Sequence, residues 1–176
     1  MIELASLASV TITSFLVIVL ARAVWHKAER FLETVGFAQG YGLVPDALAA
    51  PIVRALMLAE VVAILALMVP AWRAAGGVLA AGLFVGYGAI MAAALAQGRE
   101  RIDCGCGGLP QIVSGFTLGR NAVLAGLALA VAALPTVALS RAEVAVAIAG
   151  ALVLAAIFAI VERLASHLPH IRQGEI

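Results

Sequence analysis

Five runs of apolar residues, separated by short polar breaks, set the pattern of this chain. A hydrocarbon core about 30 Å thick takes about 20 apolar residues of helix to cross. The first run occupies about 4–24 and is free of charge through residue 21. The second, 51–69, is interrupted only by Arg54 and Glu60, and the third, 74–96, carries no charge at all. The fourth, 118–139, is apolar after Arg120 and Asn121, and the fifth, 144–161, is uninterrupted. Backbone amides in lipid must find partners within their own segment, so each run predicts a helix. The expected fold is all-α: a polytopic membrane bundle of five transmembrane helices, with residues 1–176 as one integral membrane domain.

The connections differ in length and character. Trp72-Arg73 and the segment from Ser140 to Glu143 read as tight turns between antiparallel neighbours. After the first span, Trp25, Ala28, Phe31, Leu32 and Val35 recur on one side of a helical period, with His26, Lys27, Arg30 and Glu33 elsewhere. That pattern predicts an amphipathic segment at the membrane surface, ending at Gly36. Gly40-Tyr41-Gly42 and Pro45-Asp46 then mark an irregular stretch. The third connection, 97–117, is too polar and glycine-rich to cross lipid. Within the third span Gly82 and Gly86 form a small-xxx-small pair, with Gly76, Gly77 and Gly88 nearby, which predicts close approach of a neighbouring backbone.

Composition agrees with lipid as the solvent. Hydrophobic residues are 64% of the chain and charged residues 12%, against about 25% charged in a soluble domain. Mean hydropathy is +1.12. The net charge of +1 says nothing about nucleic acid, and no basic, aromatic-interleaved stretch suggests it as a partner, so none is expected. Met1-Ile2-Glu3 lacks the basic start of a secretory signal, so the first run is read as a span.

Nine of the eleven Lys and Arg residues fall beside the first and third connections or after the last span, leaving Arg73 and Arg141 at the other end. The positive-inside rule therefore places those two connections in the cytoplasm.

The chemistry of the chain concentrates in the third connection. Its only cysteines, Cys104 and Cys106, stand either side of Gly105, within Asp103-Cys104-Gly105-Cys106-Gly107-Gly108. Glycine permits the sharp bend that brings such near neighbours together, and a disulfide needs Cα atoms within roughly 4.4–6.8 Å. So short a loop constrains the unfolded chain little, whereas a strained, exposed bridge exchanges readily. Arg99, Arg101 and Arg120 favour thiolate, with Asp103 and Glu100 partly opposing them. Thiol–disulfide exchange is the preferred reading, with Cys104 and Cys106 catalytic and Arg101, Asp103 and Gly105 supporting. Two incidental cysteines in a turn, a soft-metal pair for Cu(I) or zinc, and an intermolecular disulfide stay open; no third cysteine completes a metal set.

Glu60 is the second unusual residue, a carboxylate more than a turn inside an apolar run. Such a group is costly in lipid and faces a partner or a cavity. Arg54, Arg22 and Lys27 approach the same face, so a Glu–Arg or Glu–Lys clamp between the first two spans is expected, with a proton or quinone role as the alternative.

Several features together resemble a known family. The five apolar segments, the Lys27-bearing amphipathic stretch, Gly36-Phe37, the run from Tyr41 to Pro45 and Glu60 are similar to DoxX-like membrane proteins. The run from Arg101 to Gly108, followed by Arg120-Asn121, resembles the methylamine-utilisation MauE branch. The resemblance implies an accessory protein of the bacterial cytoplasmic (inner) membrane that assists maturation, processing or export of the methylamine dehydrogenase small (beta) subunit. It implies a thioredoxin-like accessory protein as partner and a redox role for Cys104 and Cys106. It also argues for the oxidising, periplasmic side for the cysteine loop, against the charge distribution. No cofactor is assigned, although quinone is an option. A thiol–disulfide oxidoreductase, a non-enzymatic assembly or docking subunit, a soft-metal-handling loop and a transporter are the functions in competition.

Overall fold

A computed structural model describes residues 2–98, 114–134 and 137–173, with side chains described for 3–98, 114–134 and 137–166. The described residues contain α1 (Ile2–Glu29), α2 (Phe31–Gly40), α3 (Asp46–Met68), a 3₁₀ turn (Pro70–Trp72), α4 (Arg73–Ala96), α5 (Gly115–Ala133) and α6 (Arg141–Gln173), and no strand. Five of these helices, all but α2, are long and apolar enough to cross a membrane. The chain is an all-α, multi-pass membrane bundle with an amphipathic helix after its first span.

Helix ends follow local chemistry more closely than hydropathy. α5 begins at Gly115 because Ser114 caps it: the Ser114 N–H donates to Thr117 Oγ1 at 3.0 Å. It stops at Ala133, short of the limit suggested by the apolar run. α6 begins behind a reciprocal cap in which the Ser140 N–H donates to Glu143 Oε2 at 2.7 Å and the Glu143 N–H to Ser140 Oγ at 3.3 Å. α3 begins at Asp46, so Pro51 lies inside the helix and not at its start. α1 continues past the membrane-crossing run to Glu29, absorbing Trp25, His26 and Lys27. The amphipathic segment proper then resumes after a break at Arg30 and runs to Gly40, beyond the Gly36 end that periodicity suggests.

Packing is built from small side chains. Ala63, Ala80, Ala81, Ala125, Ala128 and Ala151 sit in one buried cluster with Leu16, Leu20 and Leu67. α4 lies against both α3 and α5, and α1 against α3 and α6. Phe15 and Phe158 meet edge to face at 5.7 Å between α1 and α6. Backbone approach is closest at Gly76 and Gly77. A Cβ on Gly76 would stand 2.6 Å from the Leu67 nitrogen, and one on Gly77 would stand 2.7 Å from the Ala128 carbonyl oxygen. Gly82 and Gly86 meet nothing within 4 Å, which corrects the expectation that this pair carries the helix contact. They face outward with Val78, Val85 and the other exposed apolar side chains, where lipid is the neighbour.

At the end of the bundle where the N-terminus lies, Arg73 closes α5. Its guanidinium donates to the carbonyls of Val131 and Leu134, each at 2.7 Å, and to Ser9 Oγ on α1. A cation on the last carbonyls of a helix satisfies acceptors that have no partner within it.

Candidate functional site

Charged side chains inside the bundle form two ion-paired groups on either side of a cavity. The first ties three helices together. Lys27 of α1 donates to Glu60 Oε1 of α3 at 2.8 Å, and the Tyr87 hydroxyl of α4 donates to the same oxygen at 2.8 Å. The Lys27 ammonium also stands 5.2 Å from the Tyr87 ring centroid, an attraction that strengthens when water is excluded. Glu60 is fully buried and Lys27 nearly so. At 1.5 Å per residue, Glu60 lies about 20 Å from the first residue of α3 and about 12 Å from its last.

Among the cations offered to Glu60, then, Lys27 is its partner. Arg54 instead lies over the Phe31 ring at 5.3 Å, holding α2 to α3, and Arg22 turns to Glu162. The burial of Lys27 corrects its expected place on the polar side of a surface segment.

Glu162 anchors the second group. Arg22 of α1 approaches its Oε2 at 2.8 Å and Arg120 of α5 its Oε1 at 2.7 Å, so this carboxylate joins α1, α5 and α6. Next to Arg120, the buried Asn121 donates to the Thr117 carbonyl at 2.9 Å. Sequence reasoning passed over Glu162 because it ends an uninterrupted apolar run and reads as a membrane-edge residue. Tyr87 and His26 were also missed as site residues; Tyr87, alone with a hydroxyl in an otherwise apolar third span, was the available signal.

Between the groups lies a cavity of about 520 Å³. Its polar wall includes Arg22, His26, Glu60, Tyr87, Arg120 and Asn121, and its apolar wall is formed by side chains such as Ile18, Phe84, Leu124 and Phe158. Glu60 Oε2 and His26 Nδ1 there are buried without a hydrogen-bond partner among the described residues. A second, smaller and almost wholly apolar cavity of about 170 Å³ lies beside α2, lined by Phe37, Tyr41, Val53 and Met91, with Lys27 and Tyr87 also on its wall.

Of the sequence-predicted site residues, Cys104, Cys106, Arg101, Asp103 and Gly105 lie outside the described residues. The helices on either side of their segment are described. α4 ends in Gln97 and Gly98, the latter at a φ of +69°, and Ser114 opens α5. Both helices contribute to the walls of the 520 Å³ cavity, through Phe84 and Tyr87 on one side and Arg120, Asn121 and Leu124 on the other.

These features define a class: a polytopic helical membrane protein with ion-paired carboxylates and, inside its bundle, a largely apolar cavity with charged and polar groups in its wall. The family model "Methylamine utilisation protein MauE" matches residues 5–134, from α1 to the end of α5. The chain is 36% identical over 124 residues to the methylamine utilization protein MauE of Methylophilus methylotrophus, covering 69% of this chain and 65% of that protein. It is 33% identical over 120 residues to the protein of the same name from Paracoccus denitrificans, covering 67% and 64% respectively. The chain belongs to the MauE family. The matched part spans just under two thirds of the length of these relatives. No solved structure matches the chain.

Proposed function

We propose that this chain is an accessory protein of methylamine utilisation, seated in the bacterial cytoplasmic membrane, that matures the methylamine dehydrogenase small subunit by thiol–disulfide exchange. The observation that carries this reading is the Cys104-Gly105-Cys106 pair, the only cysteines of a chain in this family, in the segment joining α4 to α5. In the proposed step, a thiolate of the partner attacks one sulfur of the Cys104–Cys106 disulfide and displaces the other as thiolate. A second partner thiol then resolves the mixed disulfide, so one disulfide is lost as another forms and the transfer itself needs no external electrons. Because the chain holds no second pair to relay electrons, the pair exchanges directly with a partner or with a quinone, and a thioredoxin-like accessory protein fits the partner's role. The cysteine segment faces the periplasm, where disulfides persist.

Replacing both thiols, Cys104→Ser and Cys106→Ser, in a methylamine-using host tests the reading. The expected result is loss of growth on methylamine, with the dehydrogenase small subunit failing to accumulate while the variant remains in the membrane at normal amount. Undiminished small subunit and growth would remove the redox role and leave a non-enzymatic docking subunit.

A further inference from the structure

The 520 Å³ cavity is within the roughly 300–1,000 Å³ of ordinary ligand sites, and its lining states what it would hold. Glu60 Oε2 is buried and unpartnered among the described residues, and it belongs to a wholly buried side chain on the cavity wall. An ionised carboxylate only accepts hydrogen bonds, so the occupant must donate one. A cationic donor is disfavoured, because Lys27 already neutralises Glu60 at 2.8 Å and Arg22 and Arg120 outnumber Glu162 on the facing wall. An anion is disfavoured by the open carboxylate oxygen itself. What fits is a neutral hydroxyl. The second unpartnered atom, His26 Nδ1, belongs to a group that donates or accepts according to tautomer. It can therefore meet a hydroxyl or a carbonyl at the same position. The remaining walls are aromatic and aliphatic: Trp25, Phe84 and Phe158 with Ile18 and Leu124. They suit a flat, apolar ring better than a flexible chain.

We propose that this cavity binds the ring of a membrane quinone and its quinol, a quinol hydroxyl donating to Glu60 Oε2 and His26 contacting an oxygen of either redox form. On the thiol–disulfide reading, the bound quinone would take the two electrons and two protons released when Cys104 and Cys106 join, leaving as quinol. That role rests on the thiol reading; the binding site does not.

Trp25 lines the cavity, and the other tryptophan, Trp72, lies in the 3₁₀ turn at the opposite end. In a Trp72→Phe background, Trp25 becomes the reporter. The protein is placed in phosphatidylcholine nanodiscs and titrated with decylubiquinol and decylubiquinone. The expected result is saturable quenching by both. Glu60→Gln should weaken quinol at least tenfold, and Ala155→Phe, which fills the cavity from α6 at a residue that belongs to neither ion-paired group, should abolish the saturable part. The Cys104→Ser/Cys106→Ser protein should bind as before, which separates failure of this site from failure of the thiol chemistry. Should Glu60→Gln not fold to a monodisperse protein, Ala155→Phe decides. Linear, partition-like quenching, or saturable quenching indifferent to Ala155→Phe, overturns the proposal. So does binding of a cationic or anionic amphiphile in place of the neutral quinol.

Discussion

A desolvated carboxylate at position 60 is affordable only because Lys27 and Tyr87 both reach the same oxygen of it. Removing one partner of a buried ion pair costs about 3–5 kcal/mol, since the other charge is left without compensation. Lys27→Met should therefore destabilise the bundle strongly, whereas Lys27→Met/Glu60→Met should recover much of the loss, two apolar side chains replacing two paired charges. Unfolding by SDS titration in mixed micelles measures both, and a double variant that loses as much as the two singles combined would contradict the pairing. Glu60 itself was conspicuous in the sequence, a charge within an apolar run, and three candidate cations were nameable. The choice among them was not legible, because it depends on α1 running unbroken to Glu29 and turning Lys27 inward. Glu162 was hidden for the converse reason. A carboxylate at the end of an apolar run looks solvated until Arg22 and Arg120 arrive from two other helices.

Helices meet where their glycines face a neighbour, and rotation about each axis decides which glycines those are. Adding a methyl group at Gly77 would press on the Ala128 carbonyl oxygen of α5, backbone that cannot swing aside. Gly77→Ala should destabilise by about 1–3 kcal/mol, the usual range for overpacking. Gly82→Ala, with open space around it, should change stability by less than about 0.5 kcal/mol. The same SDS titration reads both, and equal losses at the two sites would contradict the packing. Apolar runs announced the five long helices plainly. Their rotation and their ends were less legible, since a Gly-xxx-Gly spacing is the same whether it faces lipid or protein. Similarly, the α3 start hid behind Pro51, which resembles a helix opening but here lies several residues within.

On the scale of the molecule, Arg73 and the serines of α1 close one end, the Glu60 group and the larger cavity lie within the bundle, and the Glu162 group lies toward the end from which the cysteine segment leaves α4. The family assignment was accessible from the sequence because its most specific motif is a short run of residues, whereas the cavity was not, being assembled from five helices. Sidedness is where two physical arguments part. Nine cations beside that end favour the cytoplasm; exchange with a periplasmic client requires the other side. Treating intact cells with a membrane-impermeant maleimide, before and after mild reduction, joins sidedness and redox state in one readout. Labelling of Cys104 and Cys106 that rises on reduction without permeabilisation is the predicted result. Labelling only after permeabilisation, or labelling that reduction leaves unchanged, would contradict the account.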